Sequence, residues 1–214
     1  MLLSSSPATI HEVAPHMKRH APAADRNRTP ILDVLRPLLH DGALVLEIAS
    51  GSGQHVVHFA ASLPSVTFQP TDADGSALAS IEAHLAEAAL PNILPPLHLD
   101  ASAASWPVTR ADAVVCINMI HISPFACTEG LFAGANRVLP PGGLLYLYGP
   151  YRFSGAFTAP SNEAFDASLR AQNPAWGVRD VDDLVRLASA AGIAHEATIP
   201  MPANNHSLIF RKRA

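Results

Sequence analysis

Cysteine is almost missing from this chain: 214 residues contain two, Cys116 and Cys127. That excludes a disulfide framework and suits a reducing compartment. Cys116 sits inside the apolar run Ala113–Ile117 and reads as core; Cys127 has no neighbouring base to make it a nucleophile. Charge is scarce too, at 15% of residues against 49% hydrophobic ones, which is the composition of a packed globular chain. The net charge of −4 offers no basic field for nucleic acid. The one cationic run, Arg211-Lys212-Arg213, reads as a solvated tail. No apolar run reaches membrane-spanning length. The opening Met1-Leu2-Leu3-Ser4-Ser5-Ser6 lacks the charged and apolar regions of a secretory signal. The expectation is a cytoplasmic protein with no nucleic-acid or membrane partner. The oligomeric state is left open.

What the chain does have is concentrated at residues 43 to 60. An apolar run, Leu44 to Ile48, reads as a buried strand. It stops at Ala49-Ser50-Gly51-Ser52-Gly53, and helical periodicity resumes with Val56, Val57, Phe59 and Ala60. Strand, glycine turn, helix is the first unit of a doubly wound α/β fold. The turn offers backbone N–H groups and a helix N-terminus to a ligand.

Around that unit the chain divides readily. Residues 1–16, rich in Ser, Pro, Ala and His, read as a disordered tail, with Met17 an alternative start and 17–214 a single domain. Thr29 reads as an N-cap with Pro30 at the first helical position, opening a helix whose apolar stripe runs from Ile31 to Leu39. Strand two is Val66–Pro70, and a helix spans Ser76–Ala89. Strand three is Leu97–Asp100, and strand four Ala111–Asn118. A helix covers Cys127–Val138, then strand five Leu144–Tyr148. Residues 152–176 are irregular around one short helix. Asp180 caps a helix closed by Gly192, and two strands, Ile193–Pro200 and Leu208–Phe210, finish the chain. The pattern predicts a Rossmann-like α/β fold, a doubly wound sheet of seven strands.

In such sheets ligands bind at the carboxyl ends of the strands. Strand one delivers Glu47 and the loop through Gly53. Strand two delivers Asp72, 21 residues past Gly51 and so placed to accept from ribose hydroxyls. Its neighbour Asp74 fits a helix cap. Strand three delivers Asp100, placed near an adenine amine. Strand four delivers Asn118 and His121, and strand five Tyr148 and Tyr151. The loop is not G-x-G-x-x-G, because Val56 holds the third position, which moves the reading from NAD towards S-adenosylmethionine. A Walker lysine is absent.

These features resemble the class I S-adenosylmethionine-dependent methyltransferases. The cues are Leu46-Glu47-Ile48-Ala49-Ser50-Gly51-Ser52-Gly53, then Asp72, Asp100 and the turn Leu139-Pro140-Pro141-Gly142-Gly143. Ala49 departs from the usual first glycine. A narrower resemblance, to the DUF938 family that includes the methyltransferase-like 26 proteins, rests on five stretches. They are Ala21–Asn27, Gln69–Asp72, Cys116–Pro124, Tyr146–Pro150 and Met201–Asn205. The resemblance implies a seven-stranded sheet with the last strand antiparallel. It also implies an S-adenosylmethionine site at Glu47, Ala49, Gly51, Ser52, Gly53, His55, Asp72, Ala73, Asp100, Ala101, Asn118 and Met119. Because the last strand runs backwards, its start brings Asn204 and Asn205 to the same edge. Tyr148 and Tyr151 bound an acceptor there. Arg26 and Asn27 fold over it, Arg26 binding a carboxylate of the acceptor or of the cofactor. His121 is the candidate general base. The other histidines show no ligand spacing, so no metal is expected. The leading expectation is methyl transfer to a small molecule. The alternatives are a cofactor-binding or scaffolding protein without turnover and, less favoured, an NAD-dependent oxidoreductase.

Overall fold

The structure is a computed structural model describing residues 18–214. The tail expected over residues 1–16 and the alternative start at Met17 lie outside the described residues. In chain order the strands are β1 (Leu44–Ile48), β2 (Thr67–Asp72), β3 (Leu97–His98), β4 (Ala113–Ile117) and β5 (Leu144–Gly149). Then come β6 (Tyr151–Phe153), β7 (Ala156–Phe157), β8 (Arg179–Asp180), β9 (Ile193–Met201) and β10 (Asn205–Lys212). The helices are α1 (Pro22–Leu35), α2 (Gln54–Ser62), α3 (Gly75–Ala88), α4 (Phe125–Val138), α5 (Pro160–Gln172) and α6 (Val181–Ala190).

The main sheet has seven strands in the order β3-β2-β1-β4-β5-β10-β9. β1, β2, β3, β4 and β5 are parallel, and β10 runs antiparallel to β5. This is the expected Rossmann-like α/β sheet with its last strand reversed. β1 connects outward to β2 while β4 lies on its other side, so the strand order reverses between β1 and β4. A crevice opens at such a switch point, beyond the carboxyl ends of the two strands.

Alternation along the strands sorts the core onto two faces. Val45, Val115, Tyr146 and Tyr148 pack with Ile31, Leu35 and Phe59 from α1 and α2. Leu46, Cys116, Leu145 and Leu147 pack with Leu131, Phe132 and Leu184 from α4 and α6. β4 and β5 are buried along their whole length, as unbroken apolar strands covered on both faces must be.

The N-terminal helix departs from expectation. It begins at Pro22 rather than Pro30, with Ala21 as its cap, and it runs through Pro30. Pro22 suits the first helical position as well as Pro30 does. Tertiary contacts then decide between them. Gln54 at the start of α2 accepts from the Ala21 N–H at 2.6 Å and donates to the Asp25 carboxylate at 2.9 Å. Asn27 Oδ1 meets His55 Nε2 at 2.8 Å. These bonds hold the extra turns, even though Pro30 cannot donate to the Arg26 carbonyl.

The stretch after β5 is also more regular than its sequence suggested. β6, β7 and β8 form a small separate sheet that supports α5. Asp180 caps α6 as expected, accepting from the Asp182 N–H at 3.0 Å, and also accepts from the Gly155 N–H at 2.7 Å.

Candidate functional site: the switch-point crevice

The glycine loop leaves β1 at the switch point. Three of its residues take left-handed backbone: Ala49 (φ 57°), Gly51 (φ 59°) and Gly53 (φ 92°). Glycine accepts that region freely, whereas alanine is strained in it. A methyl added to Gly51 would meet nothing within 4 Å, so the loop leaves room beside its backbone. A methyl on Gly53 would stand 3.0 Å from Ile81 Cα, so this glycine lets α2 approach α3.

Asp72 ties the loop to the next strand. One carboxylate oxygen accepts the Gly51 N–H at 2.9 Å, and the other accepts the Asp74 N–H at 2.9 Å. Thr71 strengthens the joint by donating its hydroxyl to the Glu47 carbonyl at 2.7 Å. Asp74 caps α3, accepting from the Ser76 N–H at 2.9 Å. Ala73 lies exposed between the two acids. Ser52 is buried, and its carbonyl accepts the Ser80 hydroxyl of α3 at 2.9 Å.

Glu47 is buried at the end of β1 with one carboxylate oxygen unpartnered among the described residues. Burial pushes its carboxyl up to about 7, with the nearby Asp72 adding to the rise. Asp100 is exposed and forms a turn of its own, accepting from the Ser102 N–H at 2.8 Å and hydroxyl at 2.7 Å. Those bonds hold its carboxyl below the ordinary range. Ala101 and Met119 are buried. His55 faces α1, where burial lowers it to about 4, so it serves the Asn27 bond instead of the loop.

Past β4 the backbone turns sharply at Asn118 (φ 63°). Ile48 pairs with Cys116 across β1 and β4, so Ser50 and Asn118 stand two residues beyond the same pair. There a cavity of about 560 Å³ opens. Asn118 and Tyr148 form its floor. Arg26 and Asn27 from α1 form one wall. Phe165 from α5 and Asn205 at the start of β10 also line it. Asn204 does not line the cavity. Its carbonyl accepts from Asn162 at 2.9 Å and its amide donates to the Ser161 hydroxyl at 3.1 Å, clasping the turn onto α5.

Two expected site residues lie elsewhere. His121 is fully buried in a 3-10 turn, Met119–His121, and does not line that cavity. Its ring packs edge-on against Tyr151 at 5.0 Å, and a methyl added to Gly149 would collide with its Nε2. Burial, then the Arg179 charge, lower it to about 3. Position and proton affinity both argue against its acting as a base. Tyr151 is fully buried on the α4/α6 face, opposite to Tyr148, with its hydroxyl pushed far above the phenol range. It therefore does not bound the cavity.

Sequence reasoning missed Gln54, which links α1 to the loop and accepts from the Ser52 hydroxyl at 3.0 Å. It missed Phe165 and Asn162 as well, because their place depends on how α5 folds back. No group of histidine, cysteine and acidic side chains among the described residues could hold a metal ion. None of the described helices is long and apolar enough to cross a membrane.

The sheet order, the reversed last strand and the loop at the switch point define a methyltransferase-type fold. The chain belongs to the family described as a protein of unknown function, DUF938, whose model matches residues 18–212. Solved structures share the fold at low identity. An O-methyltransferase family protein from Burkholderia thailandensis superposes with a TM-score of 0.76 at 16% identity, over 90% of this chain and 58% of its own. The S-adenosylmethionine-dependent methyltransferase SibL gives 0.73 at 18%, over 90% and 56%. An O-methyltransferase family 2 protein from Planctomyces limnophilus, solved with apigenin, gives 0.72 at 17%, over 89% and 60%. This chain thus spans less than two thirds of each of these three proteins.

Proposed function

We propose that this protein transfers a methyl group from S-adenosylmethionine to a small-molecule acceptor bound in the 560 Å³ cavity. The observation that carries the reading is the joint between Gly51 and Asp72 at the switch point, with Asn118, just past the neighbouring strand β4, lining that cavity. The residues present fit the cofactor. Open space at Gly51 admits a ligand against the backbone. Asp72 and Asp100 offer acceptors for ribose hydroxyls and an exocyclic amine. The unpartnered oxygen of buried Glu47 offers a partner for an ammonium group. Bound there, the cofactor supplies an electrophilic methyl on a sulfonium. Val56, fully buried in α2, occupies the third position of the dinucleotide fingerprint and speaks against NAD.

The protein's share of such a reaction is positioning, which is worth roughly 7–11 kcal/mol. Tyr148 and Asn118 set the floor on which an acceptor would rest. No aspartate, glutamate, histidine, cysteine or lysine lines the cavity among the described residues. The acceptor atom therefore carries a lone pair that is free near neutral pH. The same absence favours a second reading, a binding protein without turnover. Incubation with S-adenosylmethionine and metabolite extracts separates the two. A methylated product with stoichiometric S-adenosylhomocysteine supports the enzyme, and binding without either product supports the silent protein. The five sequence stretches named above also support a resemblance to the methyltransferase-like 26 proteins.

A further inference from the structure

The charge in the cavity wall stands alone. Arg26 has no ion pair or hydrogen bond among the described residues, and no carboxylate lines the space it faces. Other wall amides are committed. Asn162 donates to the Thr158 hydroxyl at 2.9 Å and to the Asn204 carbonyl at 2.9 Å. Asn205 donates to the Pro202 and Ala203 carbonyls at 3.1 and 3.2 Å. Asn27 uses its oxygen on His55. Tyr148 lines the same space, and its phenol can donate or accept. The free polar capacity of the cavity is thus the Arg26 guanidinium, its one charge, with the Asn118 side chain and the hydroxyls of Tyr148 and Ser161. Around them the surface is apolar: Ile122 and Phe165 are 45% and 41% exposed, with Pro150 and Pro202 alongside.

We infer that the cavity takes a small amphipathic carboxylate, its anionic group on Arg26 and its flat apolar body between Phe165, Ile122 and the two prolines. This rests on the proposed function and names the substrate class of the same site. A guanidinium matches a carboxylate in a two-point fork. Exposed large apolar side chains rimming a concave space are what an apolar ligand would cover. Arg26 also serves the acceptor rather than the cofactor's own carboxylate. It shares its cavity with Phe165 and Asn205, whereas Asp25, the preceding residue, accepts from Gln54 at the start of α2. Successive helical residues point about 100° apart.

The test is calorimetry on the full chain with two probes of one shape, 3-phenylpropionate and its neutral amide, with and without S-adenosylhomocysteine. The expected result is at least about tenfold tighter binding of the carboxylate. Arg26→Gln abolishes that preference, Arg26→Lys keeps part of it, and both variants bind S-adenosylhomocysteine as the wild type does. Equal affinity for the two probes, or binding of neither, overturns the inference. So does an Arg26→Gln variant that loses S-adenosylhomocysteine affinity and keeps its carboxylate preference. Failure of the wild type to bind S-adenosylhomocysteine, with the carboxylate preference intact, would instead remove the cofactor reading and leave the anion site standing.

Discussion

Asp72 holds the Gly51 amide at 2.9 Å across 21 residues of sequence. One short bond thereby couples the loop leaving β1 to the end of β2, while the second oxygen of the same carboxylate fixes the turn into α3. The chain's own bonds thus organise the switch-point crevice.

Replacing Asp72 with alanine leaves both N–H groups without their acceptor. The expected cost is roughly 3–6 kcal/mol of stability, since two bonds to a charged acceptor are lost and each is worth about 1.5–3 kcal/mol. Affinity for S-adenosylmethionine falls with it. Asp72→Asn, which keeps one acceptor oxygen, lies between. Thermal melts with parallel calorimetry check this; melting of Asp72→Ala at the wild-type temperature would contradict it.

Ala49 carries strain where related loops have glycine. Relief of a left-handed alanine is worth about 1–2 kcal/mol, and glycine returns about 0.5–1 kcal/mol of that in unfolded-chain entropy. Ala49→Gly therefore raises the melting temperature by a few degrees. Ala49→Val lowers it, because a β-branched side chain tolerates that region less. A glycine variant that melts lower than wild type would show that the loop does not hold this conformation.

Glu47 gives the protein a pH signature. Its carboxyl is raised from 4.5 to about 7 by burial, so the folded chain holds a proton that the unfolded chain has released between those values. The stability contributed by neutral Glu47 is complete below the lower value and is lost as pH rises through the upper one. Glu47→Gln removes this loss. Variant and wild type should differ least below about pH 5, with the variant gaining on the order of 1–3 kcal/mol by about pH 8. The same change should weaken S-adenosylmethionine binding if Glu47 meets its ammonium group. Chemical denaturation at both pH values is the measurement; an equal stability difference at the two would refute the assignment.

His121 should behave as packing. With its ring wedged beneath Gly149 and against Tyr151, His121→Ala costs stability, on the order of 2–4 kcal/mol for a large buried side chain. His121→Phe restores part of that. Turnover by whichever variant folds should fall far less than the roughly 10²–10⁴-fold expected on removing a general base. A loss of that size in a stably folded His121→Phe would return the residue to the chemistry.

Much of this was legible in the sequence where local pattern and sheet geometry agree. β1 is delimited by its own apolar run and glycine turn. Asp72 falls at its place because one helix and one strand fix the spacing to Gly51. Asp74 and Asp180 cap the helices that their positions announce. What failed depended on contacts between distant segments. Pro22 and Pro30 are locally equivalent helix starts, and contacts from α2 favour the earlier one, through Gln54, 33 residues beyond Ala21, and His55 on Asn27. His121 and Tyr151 each follow the carboxyl end of a strand, where site residues gather. A 3-10 turn, braced by Arg179 donating to the Ile120 carbonyl at 2.8 Å, folds the histidine inward, and Tyr151 opens a separate strand on the other face. Spacing along the chain carries no information on either event.

The central claim is that the crevice between β1 and β4 holds S-adenosylmethionine. Titration calorimetry of S-adenosylmethionine into the full chain, beside a matched titration of NAD, tests it most directly. One site per chain, of about micromolar affinity, that Asp72→Ala weakens and NAD does not occupy is the predicted result. No heat from S-adenosylmethionine, or tighter binding of NAD, would contradict the account.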